Sequence, residues 1–245
     1  MPAPSEILRS LSNIANGAVP ISIAWHAALI VAAAALLFGL RPQKRAAALI
    51  LSAPLLSVAL LAFAFGNPFN GATFSLLAVV LAVLARPALP GAITFRSDWS
   101  AYLGALLIGF GVVYPHFLDA SWLTYLYAAP FGAIPCPTLS VVVGSALLVG
   151  SFDLRAWRVV LALAGCFYAV FGALRLGVFI DVVLLVGSLG LLLQNRRLHG
   201  PRLSRPKGRV GGFSSVESGI GTAMIGAASR ADQAFERGAF RFDPA

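Results

Sequence analysis

The sequence predicts an all-α polytopic membrane protein, a transmembrane helix bundle of about seven spans. Three observations carry that prediction. Hydrophobic residues make up 59% of the 245 and charged residues only 11%, under half of the roughly 25% typical of a soluble domain. Mean hydropathy is +0.86, and the apolar residues fall in successive runs separated by short polar or Pro/Gly-rich connections. The basic residues are also distributed unevenly along the chain. This composition excludes an ordinary soluble enzyme, a disordered chain and a disulfide scaffold.

Residues 1–20 contain Glu6 and Pro20, and Ile7, Leu8, Leu11 and Ile14 are spaced along one helical face. No apolar core precedes a small-residue cleavage site, so the segment does not read as a cleavable signal. It predicts an amphipathic helix lying on the membrane surface. The spans follow at 21–40, 46–65, 72–85, 101–113, 138–151, 159–174 and 178–193. A helix needs about 20 residues to cross the hydrocarbon core, with roughly 17 as the lower end. The first two meet that length; the shorter ones must borrow flanking residues, tilt, or lie partly inside the bundle. The predicted organisation is an interfacial segment at 1–20, a transmembrane bundle at 21–194 and a cytoplasmic tail at 195–245.

Charge orients this arrangement. With seven spans, one side receives Arg41, Lys44, Arg45, Arg86, Arg96, Arg155, Arg158 and every basic residue of the tail, leaving Arg9 and Arg175 on the other. The positive-inside rule then places the N-terminus outside and the C-terminus in the cytoplasm. A net charge of +9 therefore reports topology and calls for no nucleic acid. The basic run at 196–209 suits anionic lipid headgroups.

The segment between the fourth and fifth spans is the most chemical. Trp122, Tyr125 and Tyr127 suit a short interfacial helix with rings at headgroup level, and Asp119 is its expected N-cap. Pro130, Gly132, Pro135 and Pro137 then forbid a regular helix. Cys136 stands at the next helix start, with Pro137 expected at the first helical position. Unpaired amide N–H groups there stabilise negative charge, making a thiol a better nucleophile or soft-metal ligand. The alternative is a small packing residue at a turn. Cys166 lies within the sixth span and reads as packing. Two cysteines and three histidines make no recognisable zinc pattern.

Phe131-Gly132, Pro135-Cys136-Pro137-Thr138 and Gly144 resemble the signature of an uncharacterised bacterial integral-membrane family. Its F-G-x-x-P-C-P-T-like segment precedes a transmembrane helix. Tyr168, Gly172, Leu176-Gly177-Val178 and Asp181 are similar to a second stretch of that family. There the family usually has tryptophan at the first position and a longer spacing before Leu-Gly-Val, which makes this chain a divergent member. The resemblance covers roughly residues 21–194. It implies a shared fold in the bacterial cytoplasmic membrane and no established activity.

Asp181 lies about one turn inside the last span, where an ionisable residue is a functional-site hypothesis by default. Two readings stand: an interfacial ion pair with Arg175, or a site shared with Cys136 and His116 that meets a cation or proton. His26 in the first span is either a hydrogen-bonded packing residue or a ligand. The outer half of the bundle thus offers His26, His116, Asp119, Cys136 and Asp181 as candidate substrate- or ion-binding residues. Ser52, Ser57, Thr73, Ser75, Gly144, Ser145, Gly172 and Gly187 read as helix packing.

In the tail, Ser214-x-x-Glu217 makes a capping box, and Val216, Ile220, Met224, Ala227, Ala231 and Phe235 form one helical stripe. A helix over 214–237 would dock on partner membrane subunits or on another copy. No carboxylate pair, HExxH, Ser/His/Asp set or phosphate loop points to an enzyme, and nothing calls for a cofactor. The expectation is a small-solute or cation transporter with an outward-facing Cys-Pro site. The alternative is a non-catalytic structural or accessory subunit of a larger membrane complex.

Overall fold

The computed structural model describes residues 3–88, 90–149 and 154–197, and every regular element among them is helical. In chain order these are α1 (Pro4–Gly17), α2 (Val19–Leu37), α3 (Lys44–Ala64), α4 (Pro68–Leu84) and α5 (Trp99–Val113). They continue with α6 (Tyr125–Ala128), α7 (Pro135–Leu148), α8 (Arg155–Val170) and α9 (Val182–Arg197). A π-helical turn, Phe171–Arg175, extends α8, and a 3₁₀ turn, Phe179–Asp181, leads into α9. The 214–237 segment and nearly all of the basic run lie outside the described residues. Within them, α9 continues through Arg197, so the first three residues of the predicted linker are helical.

Three helices among the described residues are long and apolar enough to cross a membrane: Val19–Leu37, Lys44–Ala64 and Arg155–Arg175. Four shorter apolar helices accompany them, Pro68–Leu84, Trp99–Val113, Pro135–Leu148 and Phe179–Gln194. Ile30, Leu37, Leu60, Leu76, Leu106 and Leu174 are all exposed. Soluble monomers rarely expose so much contiguous apolar surface, whereas lipid requires it.

The core forms around α7, of whose fourteen residues eleven are buried. A Cβ on Gly104 would lie 2.6 Å from the Gly144 carbonyl oxygen, and one on Gly144 would meet the Gly104 carbonyl at 2.6 Å. Only glycine permits that backbone contact between α5 and α7, the close approach on which helix association in lipid depends. Leu55, Phe74, Leu107, Leu139, Trp157 and Leu184 fill the remaining interior.

The connections gather at two ends. At one, Lys44 N–H donates to the Gly91 carbonyl (3.0 Å), Ile93 N–H to that of Pro42 (3.0 Å) and Arg96 N–H to that of Leu148 (3.0 Å). Arg41, Arg86 and Arg96 stand in these connections, and Lys44 and Arg45 begin α3 at the same end. Arg158 belongs to this end too, but as a buried residue of α8 and not as the loop cation the sequence suggested. Its guanidinium donates to Gln194 Oε1, Gln194 Nε2 donates to Ser100 Oγ (2.8 Å), and Ser100 Oγ donates to Asp98 Oδ1 (2.5 Å). Asp98 caps α5 and pairs with Arg96 at 3.3 Å. The Ser100 hydrogen bond holds the Asp98 carboxyl below the usual carboxylate range. Buried polar side chains thereby tie α5, α8 and α9 together. At the opposite end lie α1, the α3–α4 turn, the α5–α7 connection and the π turn.

α1 has the predicted amphipathic face. Leu11, Ile14 and Ala15 of that face pack on Leu61, Leu118, Ala133 and Ile134, so it is buried against the bundle itself.

Candidate functional site

The Phe-Gly-x-x-Pro-Cys-Pro-Thr segment builds a turn that delivers one thiol to the end of the bundle. Gly132 adopts φ +78°, in the left-handed region that favours glycine. The Trp25 ring occupies the place of any side chain, its Cδ1 being 2.1 Å from where a Cβ would stand. Gly132 N–H donates to Thr138 Oγ1 (2.9 Å), whose hydroxyl donates to the Ile134 carbonyl (2.7 Å). Ser57 Oγ donates to the Gly132 carbonyl (2.7 Å) and accepts from Trp25 Nε1 (3.0 Å). Phe131 packs on Trp25 and His26, at ring-centroid distances of 5.9 and 6.0 Å. Pro130, Pro135 and Pro137 are buried. Pro135 takes the first position of α7, where a missing N–H costs nothing. Pro137, expected there from the sequence, falls two residues further into the first turn.

Cys136 follows at the second position, half-buried. Its thiol lies within electrostatic reach of the carboxylate of Asp181, which is itself buried, and both side chains line one cavity. Tyr114 Oη donates to Asp181 Oδ1 at 2.8 Å. Asp181 Oδ2 stands 2.0 Å from where a Cβ on Gly172 would be. Gly172 lies in the π turn, a widened helical geometry that recurs at functional sites. Here the missing side chain, together with that turn, admits the carboxylate. Beside them, Tyr168 Oη donates to Asn70 Oδ1 (3.0 Å).

Cys136, Asp181, Gly172, Tyr168 and Asn70 line a cavity of ≈ 410 Å³, within the range of small-molecule sites. Its walls are mainly apolar, with Ile7 and Leu11 of α1 on one side and Phe171, Leu176 and Val178 on another. Polar groups converge where Cys136, Asp181, Tyr168 and Asn70 meet. α1 is fastened over this end by Ser12 Oγ (3.1 Å) and Asn16 Nδ2 (2.9 Å), both donating to the Phe117 carbonyl. Phe117 has φ +77°, an uncommon conformation for a non-glycine residue.

Of the five candidates, the structure brings Cys136 and Asp181 together and separates the other three from them. Arg175 lines the same cavity, while Asp181 accepts from Tyr114. His26 is buried, with Nδ1 2.8 Å from the Ser22 carbonyl and Nε2 2.9 Å from the Val112 carbonyl. That is the hydrogen-bonded packing arrangement. His116 lines a separate depression with Arg9 and Asp119. It packs edge-on against Phe117 at 4.3 Å, and partial burial pushes its imidazole below the ordinary histidine range. Asp119 does not cap a helix as expected: Ser121 precedes the short 3₁₀ turn, while Asp119 accepts from Asn16 Nδ2 at 3.3 Å. Among the described residues no group of three or more His, Cys, Asp and Glu side chains is placed to hold a metal.

Sequence reasoning missed Tyr114, Asn70 and the π turn. The available signal was two tyrosine hydroxyls, Tyr114 and Tyr168, at the edge of or within apolar runs; a buried hydroxyl needs a partner. No protein-family model, curated protein or solved structure matches the chain. The class defined by fold and site is a helical bundle with membrane-compatible helices and a cavity that is polar at one end.

Proposed function

We propose that the chain is a multi-pass protein of the bacterial cytoplasmic membrane that binds a small solute or cation in the Cys136 cavity and carries it across the bilayer. In this reading α2–α5 and α7–α9 are seven spans. The connections rich in Arg and Lys face the cytoplasm, and the cavity end faces out. The Pro-Cys-Pro-Thr resemblance supports the bacterial assignment. One observation carries the reading: a thiol and a buried carboxylate meet at the wall of a ligand-sized cavity in an otherwise apolar bundle. Ionisable groups are costly in a membrane and mark solute or ion pathways. The π turn that extends α8 lies beside Asp181, and such turns recur at functional sites. The test is uptake into proteoliposomes, screening small cations and neutral solutes against wild type, Cys136→Ser and Asp181→Asn. A solute whose uptake falls in both variants supports the proposal. Uptake that is unchanged in both for every solute contradicts it.

A second reading, an accessory subunit of a membrane complex, is favoured by α2. Of its nineteen residues only Ser22 and His26 are buried, leaving an apolar helix open to lipid or to another protein's helix. Purification in mild detergent tests it: co-purifying membrane subunits support the reading, and a lone monomer or homo-oligomer counts against it.

A further inference from the structure

We infer that the ligand of this cavity is an amphiphile with an ammonium head, bound at the Cys136–Asp181 end, and a short apolar body lying under α1. The inference rests on the proposed site and names its ligand class. Size is the first constraint. At about 30 Å³ for a water-sized group, ≈ 410 Å³ holds roughly a dozen non-hydrogen atoms.

Hydrogen-bond direction is the second constraint. The phenol protons of the polar end are used within the cluster. Tyr114 donates to Asp181 and Tyr168 donates to Asn70. Around the buried carboxylate, what remains for a ligand is mainly acceptor capacity, the Asp181 lone pairs beyond the one Tyr114 uses and the Cys136 sulfur, with the Asn70 amide as a neutral donor beside them. An ammonium supplies three donors and the compensating charge. An anionic head would face lone pairs with a carboxylate behind them.

The third constraint is the rest of the wall. Ile7, Leu11, Ile134, Phe171, Leu176 and Val178 offer a ligand's body only apolar contact, so a small hydrated ion would leave most of the volume unused. Glu6 and Arg175, of opposite sign, also line the cavity. Arg175 is already engaged within the protein, so this pair does not reverse the preference set at the polar end.

The experiment uses the full chain with Cys166→Ser, which leaves Cys136 as the sole cysteine, in nanodiscs of phosphatidylcholine and phosphatidylglycerol. The labelling rate of Cys136 by N-ethylmaleimide is measured with n-octylammonium, with octanoate and with neither. Octylammonium is expected to slow labelling about ten-fold, an effect worth about 1.4 kcal/mol of apparent binding, and octanoate to leave it unchanged. Asp181→Asn should abolish the protection, bringing the ratio of labelling rates with and without octylammonium to about one whatever its own basal rate; the octanoate comparison on wild type stands even if that variant fails to fold. A second preparation containing phosphatidylethanolamine separates the two sources of an ammonium head. Slow labelling there without added amine assigns the head to a lipid; fast labelling assigns it to a free amine. Equal protection by octanoate overturns the ammonium preference. Labelling that no amphiphile slows overturns the ligand class and leaves the site standing. A Cys136 that never reacts overturns the site reading itself.

Discussion

At the end of the bundle where the basic connections meet, Arg158, Gln194, Ser100 and Asp98 form a chain of hydrogen bonds running from α8 through α9 to the cap of α5. At the opposite end, Cys136, Asp181 and Tyr168 are also buried or half-buried, yet they border a cavity of ≈ 410 Å³, with Tyr114 donating to Asp181. The two ends use similar chemistry, a buried charge-bearing side chain with hydrogen-bonding neighbours. They differ in what surrounds it. At the first, Arg158, Ser100 and Gln194 are buried between α5, α8 and α9 and fix those helices, with Asp98 at the surface. The second has a π turn, four residues of positive φ (Gly66, Phe117, Gly132 and Gly177) and an amphipathic helix laid across it. Local geometry of that kind costs stability and is retained where a fold must leave room. The comparison teaches that a buried ionisable residue in such a bundle identifies a site only together with space beside it.

Four substitutions break or sharpen this contrast, in falling order of expected effect. Arg158→Ala empties a fully buried site and leaves Gln194 Oε1 without its donor, which should cost about 3 kcal/mol or more. It would appear as a large fall in the detergent melting temperature, with Cys136 labelling unchanged in the folded fraction. A near-neutral result would dissolve the distinction between the ends. Gly132→Ala demands a left-handed alanine against the Trp25 ring; about 2 kcal/mol or more should be lost, read by the same melt. Gly172→Ala drives a methyl into the space of Asp181 Oδ2 at a cost of about 1 to 3 kcal/mol. It should change the Cys136 labelling rate far more than a matched Gly190→Ala does. Asn16→Ala removes one fastening of α1 to the Phe117 carbonyl, about 1 kcal/mol. If α1 covers the cavity, labelling should accelerate about five-fold, with little change in melting.

Much of the fold was legible because apolar runs closed by charge and proline leave few alternatives to a helix. Apolar runs bounded by Arg-Pro, Gly-Asn-Pro and Tyr-Pro-His became α2 through α5 with ends displaced by only a few residues, since charge and proline mark helix limits strongly. Arg158 was misplaced because position along the chain does not reveal that a cation is turned inward to Gln194. The site was half legible. Cys136 was singled out by the prolines around it and Asp181 by its charge in an apolar run; both are local signals. That they meet was not legible, because it depends on α7 and the 3₁₀ turn before α9 lying side by side, a matter of helix order. The Asp119 cap failed because a longer-range partner, Asn16 on α1, captured the side chain. No local pattern announces such competition.

The account turns on whether the Cys136 cavity opens on the face opposite the basic connections. With Cys166→Ser as background, intact cells are treated with a small, charged, membrane-impermeant methanethiosulfonate. A parallel strain carries Ser97→Cys at the basic end, with both native cysteines replaced by serine. The account predicts labelling of Cys136 from outside, and labelling at position 97 only after the membrane is opened. Labelling at position 97 in intact cells, with Cys136 silent, would contradict it.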